Sequence, residues 1–407
     1  MPKGYSEVEE SMCETCSTAS GRSFDRRTLL GGAAATAAAT AAAQFVTAPA
    51  AAAAPAGGQT HDLTGMSVRL LGTAGGPVWY PGTDRAGTST AVVVDGAVYL
   101  FDCGDGSLRR FREAGLGSMA TDFAGFENLR TVFLTHLHPD HYLDLPGLLL
   151  FAPVLGLTKG AFDTIGLYGP GSRGVLPPVD PRLSEPDLIS PAEPLPGTSA
   201  LVDHMIAGSA TSLNESMRDT GRADVRHQVI AHDVALPSSL LVDPNQDTAP
   251  SMAPFVVYED DRVRVSATLV PHGVTFPAFG YRVESEHGVV AISGDTAASS
   301  NVVALAADAD VLIHEVVDPA WAEGVFPQPR NPRQDALVSK LVDSHTPVGE
   351  VGRVADEAGA RNLVLSHLSP ANWPAGRWRR QVRRKRGLVT VGHDLDLVRV
   401  RPGSDRH

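Results

Sequence analysis

Residues 135–141 read THLHPDH and place three histidines and one aspartate within seven positions. They follow the apolar run TVFL at 131–134, which is typical of a buried strand. Zinc accepts imidazole nitrogens and carboxylate oxygens, about four for each ion. In the H-x-H part, alternate side chains point the same way and can hold one ion, while Asp140 and His141 can turn towards a second. The motif therefore predicts a metal centre at the end of a strand.

Four other apolar runs also end on a residue that can bind a metal. They are VSATLVP before His272, VVAISG before Asp295, VLI before His314-Glu315, and NLVLS before His367. Where helices cover packed sheets, strand ends meet on one rim, so residues that are distant in sequence can meet in space. The alternatives are a histidine-rich surface loop and a single structural zinc. The distant strand ends favour a larger centre.

Two ions would explain so many ligands and would supply a specific chemistry. Ions about 3.5–4 Å apart share a hydroxide, lower its pKa towards neutrality, and clamp the attacked and leaving oxygens. Asp295 suits a bridging position, because a carboxylate has two oxygens and its charge offsets the repulsion between two dications. We expect two Zn²⁺ ions, although Mn²⁺ and Fe²⁺ accept the same ligands.

Short strands and helices must position these residues. The sequence predicts a strand at 67–71, a hairpin at 91–101 with Asp95-Gly96 at its turn, and a helix at 348–358. Residues 171–252 hold no long period. They are predicted to be an irregular insertion that either faces the substrate or consists of loops and short helices.

The 407-residue chain has a net charge of −12, which argues against a nucleic-acid partner. Residues 377–386 are the exception, with seven basic residues in ten. We interpret this stretch as a solvated helix face that Trp373 and Trp378 hold down. The alternatives are a stripe that binds phosphates and a patch for an acidic cell surface.

The first 56 residues have the composition of an export signal. Arg26 and Arg27 precede an alanine-rich apolar stretch at 28–46 and small residues at A-x-A spacing. The paired arginines resemble a twin-arginine signal, which predicts export to the periplasm, the cell envelope or the medium. An uncleaved signal would instead anchor the chain to the membrane. No integral membrane domain is expected after cleavage, and residues 57–407 form the functional domain.

Further motifs stand in a fixed order around the histidines. They are LLGTAGGP (70–77), LFDCGDG (100–106), LYGPGS (167–172), PHG (271–273), FGYRVE (279–284), SGDTAAS (293–299), HEV (314–316), SHT (344–346) and LSHLSP (365–370). With THLHPDH, they resemble the metallo-β-lactamase superfamily, and within it the branch of ribonuclease Z and the zinc arylsulfatase-like hydrolases. The resemblance implies an α/β fold, an αββα sandwich of two mixed sheets with helices on the outer faces.

The resemblance also assigns the ligands. It implies one zinc held by His136, His138 and His272, and a second held by Asp140, His141 and His367, with Asp295 bridging. Turnover would depend on Asp140. Family position places His345 near the metals as a proton donor to the leaving group, with Glu315 orienting it. A positioned donor contributes about 10²–10⁴-fold in rate. The alternative for both residues is a purely structural role.

The substrate class depends on which branch the chain resembles more. Ribonuclease Z sequences usually carry a Lys-Arg-Asn-type element after the first glycine loop and a basic, glycine-rich arm that grips tRNA. Here residues 84–87 read DRAG at that place, and no such arm is visible in 171–252. With the export signal, this favours small anionic esters over nucleic acid. Arg85 could contact such an anion, because a guanidinium matches phosphate or sulfate oxygens. A solvated loop arginine is the alternative.

We therefore expect an exported dinuclear zinc hydrolase that cleaves phosphodiester or sulfate esters with a metal-bridging hydroxide. The alternatives are a ribonuclease Z-like endonuclease that processes tRNA 3′ ends, which the motif order favours, and a lactone or β-lactam hydrolase. A non-catalytic metal-binding protein is the alternative from another class, and it would show missing ligands. The resemblance also implies a homodimer.

Overall fold

Two seven-stranded mixed sheets form the centre of the fold in the computed structural model, which describes residues 64–76, 79–157 and 164–401. The strands are β1 Met66–Gly72, β2 Ser89–Val94, β3 Ala97–Phe101, β4 Leu129–Phe133, β5 Ile165–Pro170, β6 Val229–Val234, β7 Phe255–Glu259, β8 Arg264–Leu269, β9 Phe279–Ser285, β10 Gly288–Ile292, β11 Val311–Val317, β12 Asn362–Ser369, β13 Leu388–Val391 and β14 Leu397–Arg399.

Helices connect and cover the strands. They are α1 Ser107–Glu113, α2 Leu145–Phe151, α3 Thr198–Gly208, α4 Ala210–Asp219, α5 Ser300–Leu305, α6 Pro319–Glu323, α7 Pro332–Asp343, α8 Val351–Glu357 and α9 Ala375–Gln381. Among the described residues, none of these helices is both long and apolar enough to cross a membrane.

The two sheets share one pattern of strand directions. The first has the order β14-β1-β2-β3-β4-β5-β6, and the second has the order β13-β12-β11-β10-β9-β8-β7. Each sheet has three antiparallel pairs on one side and three parallel pairs on the other. The carboxyl ends of neighbouring parallel strands meet at one edge, where open sheets carry their ligand sites.

Strand residues alternate between an inner and an outer apolar layer. Val92 and Val364 lie in the layer between the two sheets, together with stacked Phe101 and Phe133. Val93 packs outside the first sheet with residues of α1, α2 and α3, and the outer face of the second sheet packs against α8 and α9. This layering confirms the predicted αββα sandwich.

The predicted hairpin is also present. Strands β2 and β3 pair antiparallel and are joined by Asp95 and Gly96, whose φ angles are 45° and 84°. Two positive φ angles match the right-handed twist of the strands, and Asp-Gly tolerates them at little cost.

Three regions for which the sequence makes a prediction, 171–252, 1–56 and 377–386, differ in what the structure shows of them. Residues 171–252 contain α3, α4 and the edge strand β6, so part of this region belongs to the first sheet. The signal predicted at 1–56 lies outside the described residues. In the basic stretch, Trp378 is fully buried and Arg377 stacks on Trp373 with its guanidinium carbon 3.0 Å from the ring centroid. Trp378 therefore packs α9 down, as predicted. The prediction of a solvated helix face for the whole stretch is wrong, because α9 ends at Gln381 and the side chain of Arg384 is buried.

Candidate metal centre

Residues at strand ends in both sheets meet in one cluster. His136 follows β4, and a single 3₁₀ turn, Pro139–His141, turns the chain back so that Asp140 and His141 face the same place. Proline suits the first position of this turn, because a helix leaves that N–H unpaired in any case. From the second sheet, Asp295 follows β10 and His367 lies within β12.

The first group contains three histidines. The His138 Nδ1 atom lies 2.8 Å from the Nε2 atom of His136 and 3.2 Å from the Nε2 atom of His272. Tetrahedral zinc with bonds of about 2.0–2.1 Å requires its nitrogen ligands to lie roughly 3.4 Å apart. The three nitrogens are therefore spaced as ligands of one ion.

The second group contains two carboxylates and two histidines. His367 Nε2 lies 3.3 Å from Asp140 Oδ2 and 3.1 Å from Asp295 Oδ2. His141 Nε2 lies 3.3 Å from the same Asp295 oxygen. That oxygen is also 3.9 Å from His136 Nε2 and 3.8 Å from His272 Nε2 in the first group. Asp295 therefore touches both groups, as a bridging ligand would.

Two buried atoms of this cluster support a bound cation. His141 Nε2 and Asp295 Oδ1 are enclosed, and neither makes a hydrogen bond within the described parts of the chain. A buried polar atom without a partner costs free energy, and a metal bond removes that cost. The donor set of nitrogen and carboxylate oxygen is the one that zinc prefers. The residues present thus fit a dinuclear zinc centre.

The protonation states of the first group suit metal binding. Burial lowers the pKa of His136, and burial lowers the pKa of His272 to about 4. A neutral imidazole keeps the lone pair that a metal requires. Burial alone would raise the pKa of Asp295, but the charges of His367 and His141 outweigh burial and lower it. Asp295 therefore stays a carboxylate beside the nitrogen ligands.

Asp102 holds the ligand His141 in place from outside the ligand groups, and it is not among the site residues predicted from the sequence. Its carboxylate accepts hydrogen bonds from the Thr135 backbone N–H (2.8 Å), the Thr135 hydroxyl (2.9 Å) and His141 Nδ1 (2.9 Å). The available signal was its place at the end of β3, the parallel neighbour of β4. The bond to Nδ1 leaves the Nε2 atom of His141 free to bind a metal.

Replacing Asp102 with alanine should weaken zinc binding about 10–100-fold, because a ligand histidine loses the partner that fixes its orientation. The measurement is zinc affinity by competition with a chromophoric chelator. Asp105→Ala is the matched control, since Asp105 lies three residues away and bonds Trp79 instead. Equal affinities in the two variants would contradict this role.

Glu315 and His345 form a pair beside the ligands. Glu315 Oε1 lies 3.2 Å from His345 Nδ1 and accepts hydrogen bonds from the N–H groups of Thr296 and Thr346. The His345 ring stacks on His367 at 5.6 Å. Burial lowers the pKa of His345, but the Glu315 carboxylate outweighs burial and raises it. His345 therefore lies beside the ligands and is held by Glu315, while its role as a proton donor stays a prediction.

A cavity of about 290 Å³ opens onto the ligands His138, Asp140, His272, Asp295 and His367. It is also lined by His345, and α6, α7 and their connection supply a wall of Trp321, Val325, Leu337, Lys340 and Leu341. This cavity is the natural place for a substrate, and we call it the metal cavity.

Arg85 does not line the metal cavity. Its guanidinium donates hydrogen bonds to the Thr73 hydroxyl, to the Gly392 carbonyl (2.7 Å) and to His393 Nδ1 (2.9 Å). It lies in a separate polar cavity of about 470 Å³. In this position Arg85 joins the first glycine loop to the turn before β14, and the structure does not bring it to the ligands.

Comparison with known proteins agrees with this geometry. Residues 82–332 match the family described as the metallo-beta-lactamase superfamily. The ribonuclease Z of Mycobacterium bovis (strain BCG / Pasteur 1173P2) is 30% identical over 340 residues, covering 83% of this chain and 99% of that protein. The ribonuclease Z of Mycobacterium avium (strain 104) is 32% identical over 339 residues, covering 82% and 98%.

A solved structure shows the same fold. The human tRNase Z, short form, aligns with a TM-score of 0.51 and 21% identity, covering 82% of this chain and 99% of that one. The family match spans more than half of the chain, and two sandwiched mixed sheets carry two metal-ligand groups at their edge. The chain therefore belongs to the metallo-β-lactamase superfamily of metal-dependent hydrolases.

Proposed function

We propose that this protein hydrolyses phosphodiester bonds at a dinuclear zinc centre. The observation that carries the proposal is the set of seven ligand side chains in two groups that share the Asp295 oxygen. Two adjacent metals suit in-line displacement at phosphorus. Similarity to proteins named ribonuclease Z supports the same bond type and gives no support to sulfate esters.

Bound zinc would lower the pKa of a coordinated water towards neutrality and neutralise negative charge on the phosphate. Side chains of the protein position the substrate and protonate the leaving group. Lys340 Nζ lies 3.4 Å from His138 Nε2 at the edge of the metal cavity and adds positive charge for the anion. His345, held through Nδ1 by Glu315, can give the proton on Nε2 to the leaving oxygen.

The first candidate substrate is the 3′ end of a precursor tRNA. The relatives named ribonuclease Z and the human tRNase Z fold favour it. The exposed arginines of the basic stretch at α9 also suit a phosphate backbone. For this reaction the protein has to meet tRNA inside the cell.

The second candidate is a small phosphodiester. The metal cavity measures about 290 Å³ and is largely apolar, which suits one small ester group. The sequence DRAG at 84–87 and the export signal predicted at 1–56 also favour this candidate. Export is part of this second proposal, and cell fractionation with an antibody to residues 57–407 would test it.

One substrate panel separates these candidates. Zinc-loaded protein is incubated with a precursor tRNA bearing a 3′ trailer, with bis-p-nitrophenyl phosphate, and with p-nitrophenyl sulfate. Trailer removal supports the tRNA reaction, and hydrolysis of the diester alone supports the small substrate. Hydrolysis of the sulfate alone would contradict the proposal. Metal analysis of the same sample decides between zinc and the manganese or iron alternatives.

His345→Ala should lower kcat about 10²–10⁴-fold, with zinc content unchanged, because the leaving oxygen loses its proton donor. The loss should be larger for an alkoxide than for p-nitrophenolate, since p-nitrophenolate departs without protonation. The measurement is kcat for diesters with different leaving groups. His204→Ala, which changes an exposed histidine on α3, is the control. A loss that is equal for all leaving groups would indicate a structural role instead.

A further inference from the structure

His138 lines two cavities. One is the metal cavity, and the other has a volume of about 300 Å³ and lies between residues 170–177, 194–201 and 274–277. Thr275, in the last of these segments, has its hydroxyl 3.2 Å from His138 Nε2. The second cavity therefore borders the metal ligand His138 directly. We call it the proline cavity.

The walls of the proline cavity are largely apolar, and their polar side chains are His138, Tyr142, Arg173 and Thr275. Five prolines contribute to the walls, together with large side chains such as Leu195, Leu201 and Phe276. Proline has no N–H and a fixed φ, so such walls donate few hydrogen bonds and change shape little. A cavity of this kind favours an apolar group over a nucleobase or a sugar, which need polar partners.

Arg173 is the one arginine of the lining, and its guanidinium is hydrogen-bonded to the backbone. Its side chain is 9% exposed, and the guanidinium donates to the backbone carbonyls of Val175, Pro244 and Val274. These carbonyls belong to three separate loops around the cavity. Arg173 thus ties the three loops together, so the cavity exists before a ligand binds, and three of the five guanidinium N–H groups are already used.

We propose that the proline cavity binds an unbranched alkyl arm of a phosphodiester whose phosphate lies in the metal cavity. This inference rests on the proposed function and names its substrate class. An apolar cavity of about 150 Å³ holds benzene, so twice that volume accommodates roughly an eight-carbon chain. The shared residue His138 places the arm next to the phosphate.

The kinetic test uses methyl, butyl and octyl p-nitrophenyl phosphates with zinc-loaded protein, and it measures p-nitrophenolate release. Each buried CH₂ group is worth about 3–4-fold in binding, so kcat/KM should rise at least about tenfold from the methyl to the butyl ester. A rate that does not depend on chain length would overturn the inference while leaving the phosphodiesterase proposal intact.

Two substitutions of Leu195 test whether the alkyl arm binds in the proline cavity. Leu195→Trp fills the proline cavity and Leu195→Asp places a charge in it, so either one should reduce the butyl-to-methyl ratio to within about threefold. Leu188→Trp is the matched control, because Leu188 is exposed and lines neither cavity. A ratio that is unchanged in both Leu195 variants would show that the alkyl arm binds elsewhere.

A binding test gives an answer even where no diester is hydrolysed. Calorimetry compares octylphosphonate with methylphosphonate on the same zinc-loaded proteins. We expect octylphosphonate to bind wild-type protein at least about 30-fold more tightly, and the Leu195 variants to lose most of this preference. Equal affinities in the wild type overturn the inference. Tight octylphosphonate binding without hydrolysis of any diester would overturn only the proposed function.

Discussion

Replacing Asp140 with alanine is expected to lower kcat/KM for bis-p-nitrophenyl phosphate by about 10³-fold or more. Asp140 Oδ2 lies 3.3 Å from His367 Nε2 and 3.6 Å from His141 Nε2, so its loss opens the second ligand group. A bound metal contributes several kcal/mol of charge stabilisation in the transition state, and about 4 kcal/mol corresponds to 10³-fold in rate. Zinc content should fall from two ions per chain towards one.

Asp122→Ala is the control for this variant, because Asp122 is exposed and lies in a loop after α1, outside both ligand groups. It should keep the wild-type rate and both ions. If the Asp140→Ala protein hydrolysed the diester at the wild-type rate, the assignment of the second metal group would be wrong.

Metal removal is expected to have the second large effect, on stability as well as on activity. Five of the seven ligands are buried, and the other two, His138 and Asp140, are half-buried. At free zinc about 1,000-fold above Kd, binding adds about 4 kcal/mol to the free energy of unfolding. For a domain of this size, that corresponds to a Tm rise of about 5–10 °C.

The measurement compares thermal unfolding and diester hydrolysis of chelator-treated protein before and after zinc is added back. Activity should vanish on chelation and return with zinc, and Tm should move in parallel. Magnesium serves as the control ion, because it prefers all-oxygen octahedral ligands and should restore neither property. A Tm that does not change when zinc is added would contradict a preformed metal centre at these residues.

Much of the site could be predicted because its residues carry local signals. Each of the predicted ligands follows an apolar run, and a strand that ends at the edge of a packed sheet delivers its next polar residue to that edge. The structure brings all seven together, as in His136 and His367, which come from different sheets. The αββα sandwich was predicted from the order of the motifs, and the structure confirms it.

Other features depend on contacts between residues that are far apart in the sequence, and no local sequence pattern predicts such contacts. Arg85 is held by Gly392 and His393, about three hundred positions away along the chain, so its engagement with the backbone could not be read from its loop. Helix α3 has only a weak apolar period, although its Val202 packs into the outer layer of the first sheet. The proline cavity likewise exists only where three distant loops meet.

The division of ligands between the two sheets has a consequence for how the protein matures. His136, His138, Asp140 and His141 follow β4 of the first sheet, whereas His272, Asp295 and His367 come from the strands of the second. A nascent chain that has formed only β1 to β6 holds no complete set of ligands for either ion. A complete coordination shell for either ion therefore requires strands of both sheets, so full metal affinity arises only when the two sheets have packed together.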